Sequence, residues 1–274
     1  MLNRRVVGNS VEEIAPIAGN PIIAPGNKLV TLINKAFATS HSLHKKVHVS
    51  TAKDSIKKKR VPIPLIKLIK DFPSTKTDGL LRELPLFVGM PVFLTDNIAT
   101  ELGLTNGTTG VVKSIQFECD EVIPAGTGFN YLENIPDCVI VEVDDVNMTP
   151  LDGLAPNHVP IFPKAGSFRV KVPGRKDPIN INRTHFPIVP RFACTAHKSQ
   201  GATLTKAIID LIVPEGKKGG VEINFSYVPL SRVRALKDLT ILRPFDRSIL
   251  EAPINEGCVA MMNDFKLQDE CRDM

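Results

Sequence analysis

The 274-residue chain has no tryptophan and only two tyrosines. Outside its phenylalanines, extensive stacking of nucleic-acid bases on aromatic side chains is therefore not expected. Its five cysteines are odd in number and never stand in C-x-x-C spacing, which argues against a zinc ribbon or a secreted disulfide framework. No apolar run is long enough to cross a bilayer. These absences predict an intracellular protein without a membrane partner.

The chain also lacks a phosphate loop. Such a loop needs glycine, four residues, and then glycine-lysine-serine or threonine, so that backbone amides and the lysine surround the phosphates. Gly216-Lys217 is followed by Lys218, and Gly126-Thr127-Gly128 has no lysine. The string from Val139 to Asp145 looks like a magnesium-binding strand, but Glu142 interrupts its apolar run. We expect a half-exposed strand there and no metal site.

The composition predicts a globular protein with a weak preference for polyanions. Hydrophobic residues make up 43% of the chain, which is enough for a buried core. The excess of Lys and Arg over Asp and Glu gives a net charge of +5. A basic run, Lys57 to Arg60, stands beside a proline-rich stretch and could act as a nuclear import signal, a phosphate contact or a solvated linker.

The chain begins and ends with patterns of alternating strands and helices. Pro21 to Pro25 reads as a buried strand, and a helix is predicted from Asn27 to about Ser40. After residue 187, a strand from Lys206 to Val213, a helix from Tyr227 to Ala235 and a strand from Leu239 to Leu242 are predicted. This alternation favours an α/β fold with a mostly parallel sheet and helices on its faces.

The middle of the chain has strands and turns instead. Strands are predicted at Gly89–Thr95, Thr109–Phe117, Cys138–Val143 and Phe168–Val172, with a tight turn at Asn106-Gly107. A short helix is expected from Leu65 to Phe72. We therefore predict a small inserted β-barrel over residues 86–187.

Two polar blocks near the C-terminus carry the candidate chemistry. The first runs from Thr195 to Gly201 and the second from Tyr227 to Arg234. Each follows an apolar stretch, so each is expected where a buried element reaches a cleft. Hydroxyl, imidazole and ammonium groups in the first block and two arginines in the second suit phosphate oxygens.

Together the blocks resemble the paired motifs T-x-H-K-x-Q-G and Y-V-A-L-S-R of Pif-type and RecD-like superfamily-one DNA helicases, including those of Helitron transposons. The middle region adds Gly89–Leu94 and Asn106–Val112, which resemble strings in the barrel that these helicases insert into their second motor domain. The resemblance implies a RecA-like second motor domain over residues 1–85 and 188–274, interrupted by the barrel. Pro229 departs from the family pattern, and we expect it in the first turn of its helix, where proline is tolerated.

The resemblance also implies roles for individual residues. Arg232 would be an arginine finger that acts on ATP, while Gln200 and Gly201 would face the nucleotide. Thr195, His197, Lys198 and Thr203 would lie toward the backbone of single-stranded DNA. The alternative for Arg232 is a surface salt bridge, and His197 by itself would be a structural histidine.

The family unwinds DNA from 5′ to 3′ with ATP, but its phosphate loop lies in a first motor domain that this sequence does not contain. The chain would bind ATP and Mg²⁺ only when a separate or missing N-terminal motor domain supplies that loop. The expected function is thus the C-terminal motor-domain fragment of a helicase, in the nucleus or in mitochondria. The alternative is a non-catalytic nucleic-acid-binding or interaction module.

Overall fold

The computed structural model describes residues 21–117, 124–144, 149–199, 204–212 and 224–251. The helices are α1 (Asn27–Ser42), α2 (Ile63–Ile69) and α3 (Asn224–Leu230). The strands are β1 (Ile22–Ala24), β2 (Lys46–Thr51), β3 (Lys53–Ile56), β4 (Lys59–Arg60), β5 (Glu83–Leu86), β6 (Pro91–Leu94), β7 (Thr109–Gln116), β8 (Gly128–Tyr131), β9 (Cys138–Val143), β10 (His158–Ile161), β11 (Lys164–Val170), β12 (Ile179–His185), β13 (Ile188–Pro190), β14 (Ala193–Thr195), β15 (Ala207–Ile209) and β16 (Leu239–Ile241).

The chain divides into two compact units. Unit 1 comprises residues 1–30 and 193–274, and unit 2 comprises residues 31–192. The predicted insert, residues 86–187, falls inside unit 2, which begins 55 residues earlier because 86 − 31 = 55. The strands and helix between residues 46 and 86 therefore belong to unit 2, and the assignment of segments to named helicase domains stays a prediction.

Unit 1 contains a parallel sheet in the order β14-β1-β15-β16. Its strands are short runs of apolar residues, and every residue of β1 and β15 is buried. Continuous burial is typical of parallel strands, which are covered on both faces. The α/β fold with a parallel sheet is thus confirmed, although Asn27 is the first residue of α1 and the helix extends to Ser42.

Unit 2 contains three sheets, in the orders β10-β9-β7-β6-β13, β11-β12-β3-β4 and β5-β2-β8. In the part of the chain that the structure describes, none of them closes on itself, so the predicted small barrel is not seen as a closed sheet. Two apolar cores hold the unit together. The larger core joins β2 and β5 to the five-stranded sheet, and the smaller core joins α2 to β11 and β12.

Two details differ from the sequence analysis. Of the three interpretations of the run Lys57–Arg60, the structure excludes the linker, because Lys57 and Lys58 form a two-residue turn between β3 and β4. The strand β9 is not half-exposed as expected, since its first four residues are all buried and only Glu142 is half-exposed. The Glu142 carboxylate accepts a hydrogen bond from Lys113 at 2.6 Å, and this bond holds the pKa of Glu142 below its usual value. Asp145 lies outside the described residues.

A buried polar network joins β3, β12 and the segment before β5. Asp54 accepts two bonds from Arg183, at 2.7 and 3.0 Å, and one from Arg82 at 2.6 Å. His185 contacts the carbonyl of Leu81 at 2.8 Å and the hydroxyl of Ser50 at 3.0 Å. A buried ion pair of this kind stabilises little by itself, but loss of one partner leaves an uncompensated charge.

The network predicts a pH dependence of stability. Burial lowers the pKa of His185 from 6.5 to about 4. As the pH falls through this window the unfolded chain takes up a proton that the folded chain excludes, so stability is lost with acidification. At about 1.4 kcal/mol for each pKa unit, the loss between pH 6.5 and 4 is about 3 kcal/mol. His185→Gln should remove this component from a series of urea unfolding curves.

His44→Gln is the matched control, because His44 is exposed. This control should keep the acid-dependent loss of the unsubstituted protein. An equal slope in the His185→Gln protein would show that groups other than His185 cause the pH dependence.

Among the described residues, no helix combines the length and apolar character that a membrane crossing requires.

Candidate functional site

The candidate site lies at the carboxyl edge of the parallel sheet in unit 1. Because β1, β14, β15 and β16 run in parallel, the residues that follow them meet at one edge. Thr195 is in register with Ala24, and Asp210 donates its backbone N–H to Ile23 at 2.9 Å. The chain order of the strands reverses at β1, and ligands of open α/β sheets bind at such a point.

The first polar block begins at this edge. Thr195 is half-buried at the end of β14, and residues Ala196–Ser199 form a 3-10 helix. Ser199 is buried and donates to the carbonyl of Ala196 at 2.8 Å, which stabilises the turn. His197 is exposed. Gln200 and Gly201 of this block, and Thr203 just after it, lie outside the described residues.

Lys198 has an environment unlike that of a solvated lysine. Its side chain is half-buried, and burial lowers the pKa of its ammonium while the nearby Cys194 opposes the shift. Desolvation makes a positive charge costly until an anion approaches. A phosphate beside Lys198 would provide that anion, and a role of Lys198 in phosphate contact stays a prediction.

The second polar block extends from α3 into the turn that follows it. The helix α3 begins at Asn224, not at Tyr227, and ends at Leu230. Pro229 is therefore in its second turn, and the expectation of a first-turn proline is wrong. Pro229 has no N–H to donate to the carbonyl four residues earlier, and the helix ends one residue later, at Leu230. Ser231 still donates its backbone N–H to Tyr227 at 2.9 Å.

Arg232 lies immediately beyond the end of α3. The contacts of its guanidinium include bonds donated to the carbonyl of Val228 at 3.0 Å, the hydroxyl of Ser231 at 2.8 Å and the carbonyl of Ser199 at 3.5 Å. Cations are favoured at a helix C-terminus, where carbonyl groups lack partners. Arg234, the other arginine of the block, is exposed.

The structure joins the two blocks. Besides the contact between Arg232 and Ser199, the backbone N–H of Leu204 donates to the carbonyl of Arg232 at 2.7 Å. Leu204 and Val233 form an isolated parallel bridge. The sequence places these blocks about 30 positions apart, yet the fold brings the end of one beside the guanidinium of the other.

An ion pair at the same edge was missed by the sequence interpretation. Asp210 is buried just after β15, and Arg243 bonds both of its oxygens, at 2.9 and 2.8 Å. This hydrogen bonding raises the pKa of Arg243 above its usual value. The sequence did contain a signal for this pair, because Asp210 and Arg243 are each the first charged residue after an apolar strand. The pair fixes the loop after β15 to the loop after β16.

The site therefore offers cations and hydroxyl donors at a sheet edge. Lys198 and Arg232 lie on connected segments, and donors of this type bind phosphate oxygens without reading a base sequence. A guanidinium is permanently charged and presents its N–H groups in a planar fork. The arrangement suits a polyphosphate or a nucleic-acid backbone.

No protein-family model matches the chain. Two curated proteins are similar to parts of it. An ATP-dependent DNA helicase PIF1 from Danio rerio is 30% identical over 173 residues, which is 62% of this chain and 21% of the relative. An ATP-dependent DNA helicase Pif1 from Psychrobacter sp. (strain PRwf-1) is 35% identical over 85 residues, 31% of this chain and 12% of the relative.

Solved Pif1 helicase structures share the fold. The structure from Candida albicans has a TM-score of 0.59 at 21% identity, and the alignment covers 91% of this chain and 50% of that one. A Bacteroides Pif1 bound to single-stranded DNA has a TM-score of 0.57 at 17% identity, and the alignment covers 95% of this chain and 51% of that one. This chain is thus similar to a portion of a Pif1-type helicase and spans about half the length of those solved chains.

Proposed function

We propose that this chain, similar to a portion of a Pif1-type helicase, is the second-motor-domain part of an ATP-dependent DNA helicase that moves 5′ to 3′. It contributes single-stranded DNA contacts and an arginine finger, and a first motor domain contributes the phosphate loop. The observation that carries the proposal is the position of Arg232, whose guanidinium lies against the first polar block at the carboxyl edge of the sheet.

The proposed role of Arg232 follows from the chemistry of phosphoryl transfer. Negative charge develops on the transferred phosphoryl group, and a cation supplied from a second domain stabilises it. The contacts with Val228, Ser231 and Ser199 keep the guanidinium of Arg232 near the first block. Exchange of a carbonyl partner for a phosphate oxygen would strengthen the hydrogen bonds, because both partners are then charged.

The first block has two sides in this proposal. Gln200 and Gly201 face the nucleotide, while Thr195, His197, Lys198 and Thr203 contact the DNA backbone. The exposed His197 and the half-buried Lys198 on one 3-10 helix support the DNA side. The similar Bacteroides Pif1 structure is bound to single-stranded DNA, which supports this choice of partner.

The cofactors of the proposal are ATP and Mg²⁺, bound together with the first motor domain. The 274-residue sequence has no phosphate loop, so Arg232 would act on a nucleotide held elsewhere. We also propose that the β-rich segment 86–187 is the insert of the motor domain and that the protein works in the nucleus.

The DNA contact predicts a charge-dependent affinity. Binding of a fluorescent single-stranded oligonucleotide should weaken with salt, and Lys198→Gln should reduce the slope of log affinity against log salt by about 0.7, the value for one single-strand phosphate contact. Fluorescence anisotropy over a salt series measures this slope.

Lys237→Gln is the matched control for that experiment, because Lys237 is an exposed lysine of unit 1 outside both blocks. For the Lys237→Gln protein, the slope of log affinity against log salt should equal that of the unsubstituted chain. Equal effects of the two substitutions would mean that Lys198 acts only through net charge, and salt-insensitive binding would contradict the DNA contact altogether.

The second candidate function is a non-catalytic nucleic-acid-binding module, which the missing phosphate loop favours. The two functions differ in one measurement. A chimera with a first motor domain from a Pif1 relative should hydrolyse ATP in response to DNA if the chain is a motor part, and should not if the chain is a binding module alone.

A further inference from the structure

The four-stranded sheet of unit 2 has two faces with opposite character. Side chains alternate along a strand, and residues in register on neighbouring strands share a face. Phe168 is in register with Ile181 and Asp54 with Arg183, and these side chains are buried on the face that includes the α2 core. Along each strand, the residues that alternate with these buried ones must point to the opposite face of the sheet.

That opposite face is polar, and its strand positions include no carboxylate. Arg169 is in register with Asn180, Ser55 with both Asn182 and Arg60, and Lys53 with Thr184. Its strand positions are Ala165, Ser167, Arg169, Asn180, Asn182, Thr184, Lys53, Ser55 and Arg60. Lys53, Arg60 and Arg169 are exposed. The one carboxylate of these strands, Asp54, is on the buried face between Arg82 and Arg183.

The turn beside this face adds two more cations in an unusual backbone conformation. Lys57 and Lys58 have φ values of +47° and +66°, as a two-residue turn between antiparallel strands requires. Asparagine and glycine adopt this conformation at little cost, whereas lysine does not. Such a local conflict often marks a functional position. Both lysines are exposed, and their turn joins β3 to β4 at one end of the sheet.

We propose that this surface, formed by Lys53, Lys57, Lys58, Arg60 and Arg169 and called here the cationic sheet face, binds the phosphate backbone of double-stranded nucleic acid. The cations and the amide groups of Asn180 and Asn182 are donors suited to phosphate oxygens. The strand positions of the face carry no aromatic ring, so it has no platform for the bases of a single strand. They carry no large apolar side chain for insertion into a membrane either.

The cationic sheet face lies wholly in unit 2, whereas Lys198 and Arg232 lie in unit 1. The inference therefore does not depend on the assignment of the finger or of the single-strand contact. It assigns a surface of unit 2 to the duplex, separate from the single-strand contact proposed for unit 1.

The test measures binding of the full 274-residue chain to a blunt DNA duplex of about two helical turns by anisotropy, at about 50 to 200 mM salt. Lys53→Gln, Arg60→Gln and Arg169→Gln combined should weaken duplex binding at least about tenfold and reduce the salt slope by about 0.9 for each phosphate that the protein no longer neutralises. Affinity for a single-stranded oligonucleotide should stay within about twofold of the unsubstituted value.

The matched control combines Lys35→Gln, Lys67→Gln and Lys237→Gln, three exposed lysines outside the face, so that net charge changes equally. It should keep the duplex affinity. Equal losses in the two triple variants, or no duplex binding by the unsubstituted chain at low salt, would overturn the proposal. Tighter binding to phosphatidylserine vesicles than to duplex, lost in the face variant alone, would also overturn it and identify a membrane surface instead.

A second variant separates charge from backbone conformation. Lys57→Asn with Lys58→Gly keeps the turn, relieves the positive-φ conflict and removes two charges. It should raise the free energy of unfolding and weaken duplex binding at the same time. A more stable protein with unchanged duplex affinity would show that the turn is not part of the binding surface.

Discussion

Replacement of Arg232 by alanine is expected to lower ATP turnover about 10³-fold in a chimera that joins this chain to the first motor domain of a Pif1 relative. The expected loss is large because the guanidinium would stabilise charge that exists only in the transition state. Turnover at saturating DNA, measured with a coupled ATPase assay, reports this loss directly. Single-stranded DNA binding by the chimera should persist, since the finger acts on the nucleotide side.

Arg234→Ala is the matched control for the finger. Arg234 is the other arginine of the second block and is exposed. The structure gives Arg232, by contrast, contacts to Val228, Ser231 and Ser199. The control should keep most of the turnover. Similar turnover in the Arg232→Ala and unsubstituted chimeras would leave Arg232 with a structural role at the end of α3.

The second large effect is expected in unit 2, on stability. Asp54→Asn should lower the free energy of unfolding by about 3 to 5 kcal/mol, the usual cost of breaking a buried ion pair from one side. The side chain of Arg183 is 0% exposed, so its guanidinium would remain buried without a counter-charge. Urea unfolding at neutral pH measures the change.

Asp71→Asn provides the comparison, because the side chain of Asp71 is 77% exposed and its distance to Lys70 is 3.9 Å. Exposed pairs of this kind contribute less than about 1 kcal/mol. If Asp54→Asn costs no more than Asp71→Asn, the buried network does not stabilise unit 2.

Much of the local structure could be predicted because it depends on neighbouring residues. The apolar run at Cys138–Val143 and the alternation of polar and apolar residues around Thr109 each produce a strand at the expected place. The buried strand before Asn27 and the helix after it are likewise local patterns. The parallel arrangement of the unit 1 sheet followed from the alternation of strands and helices.

Pairings between distant segments could not be predicted in the same way. Asp54 and Arg183 are 129 positions apart, and only the pairing of β3 with β12 makes them neighbours. The hairpin turn at Lys57 and Lys58 was missed for a related reason. Turn propensities do not favour lysine at positive φ, and the antiparallel pairing of β3 with β4 imposes that conformation.

For the candidate site, residue chemistry singled out two blocks, and the contacts between them could not be predicted from it. Nothing local to Ser199 indicates that Arg232 contacts its carbonyl, and the helix containing Pro229 begins earlier than its pattern suggests. The pair of Asp210 and Arg243 was missed because each residue alone resembles an ordinary charged position after a strand. Asp210 and Arg243 form an ion pair only because the fold brings the ends of their strands together.

We propose that this chain supplies an arginine finger to a nucleotide bound by another domain, and that it also contacts single-stranded DNA. The most direct test is ATP hydrolysis by the purified 274-residue protein, with and without single-stranded DNA. Because no backbone cradle for the β- and γ-phosphates is encoded in the sequence, hydrolysis should equal the protein-free background under both conditions. Hydrolysis above background that DNA stimulates and Arg232→Ala abolishes would contradict the claim, since the chain would then bind and activate ATP alone.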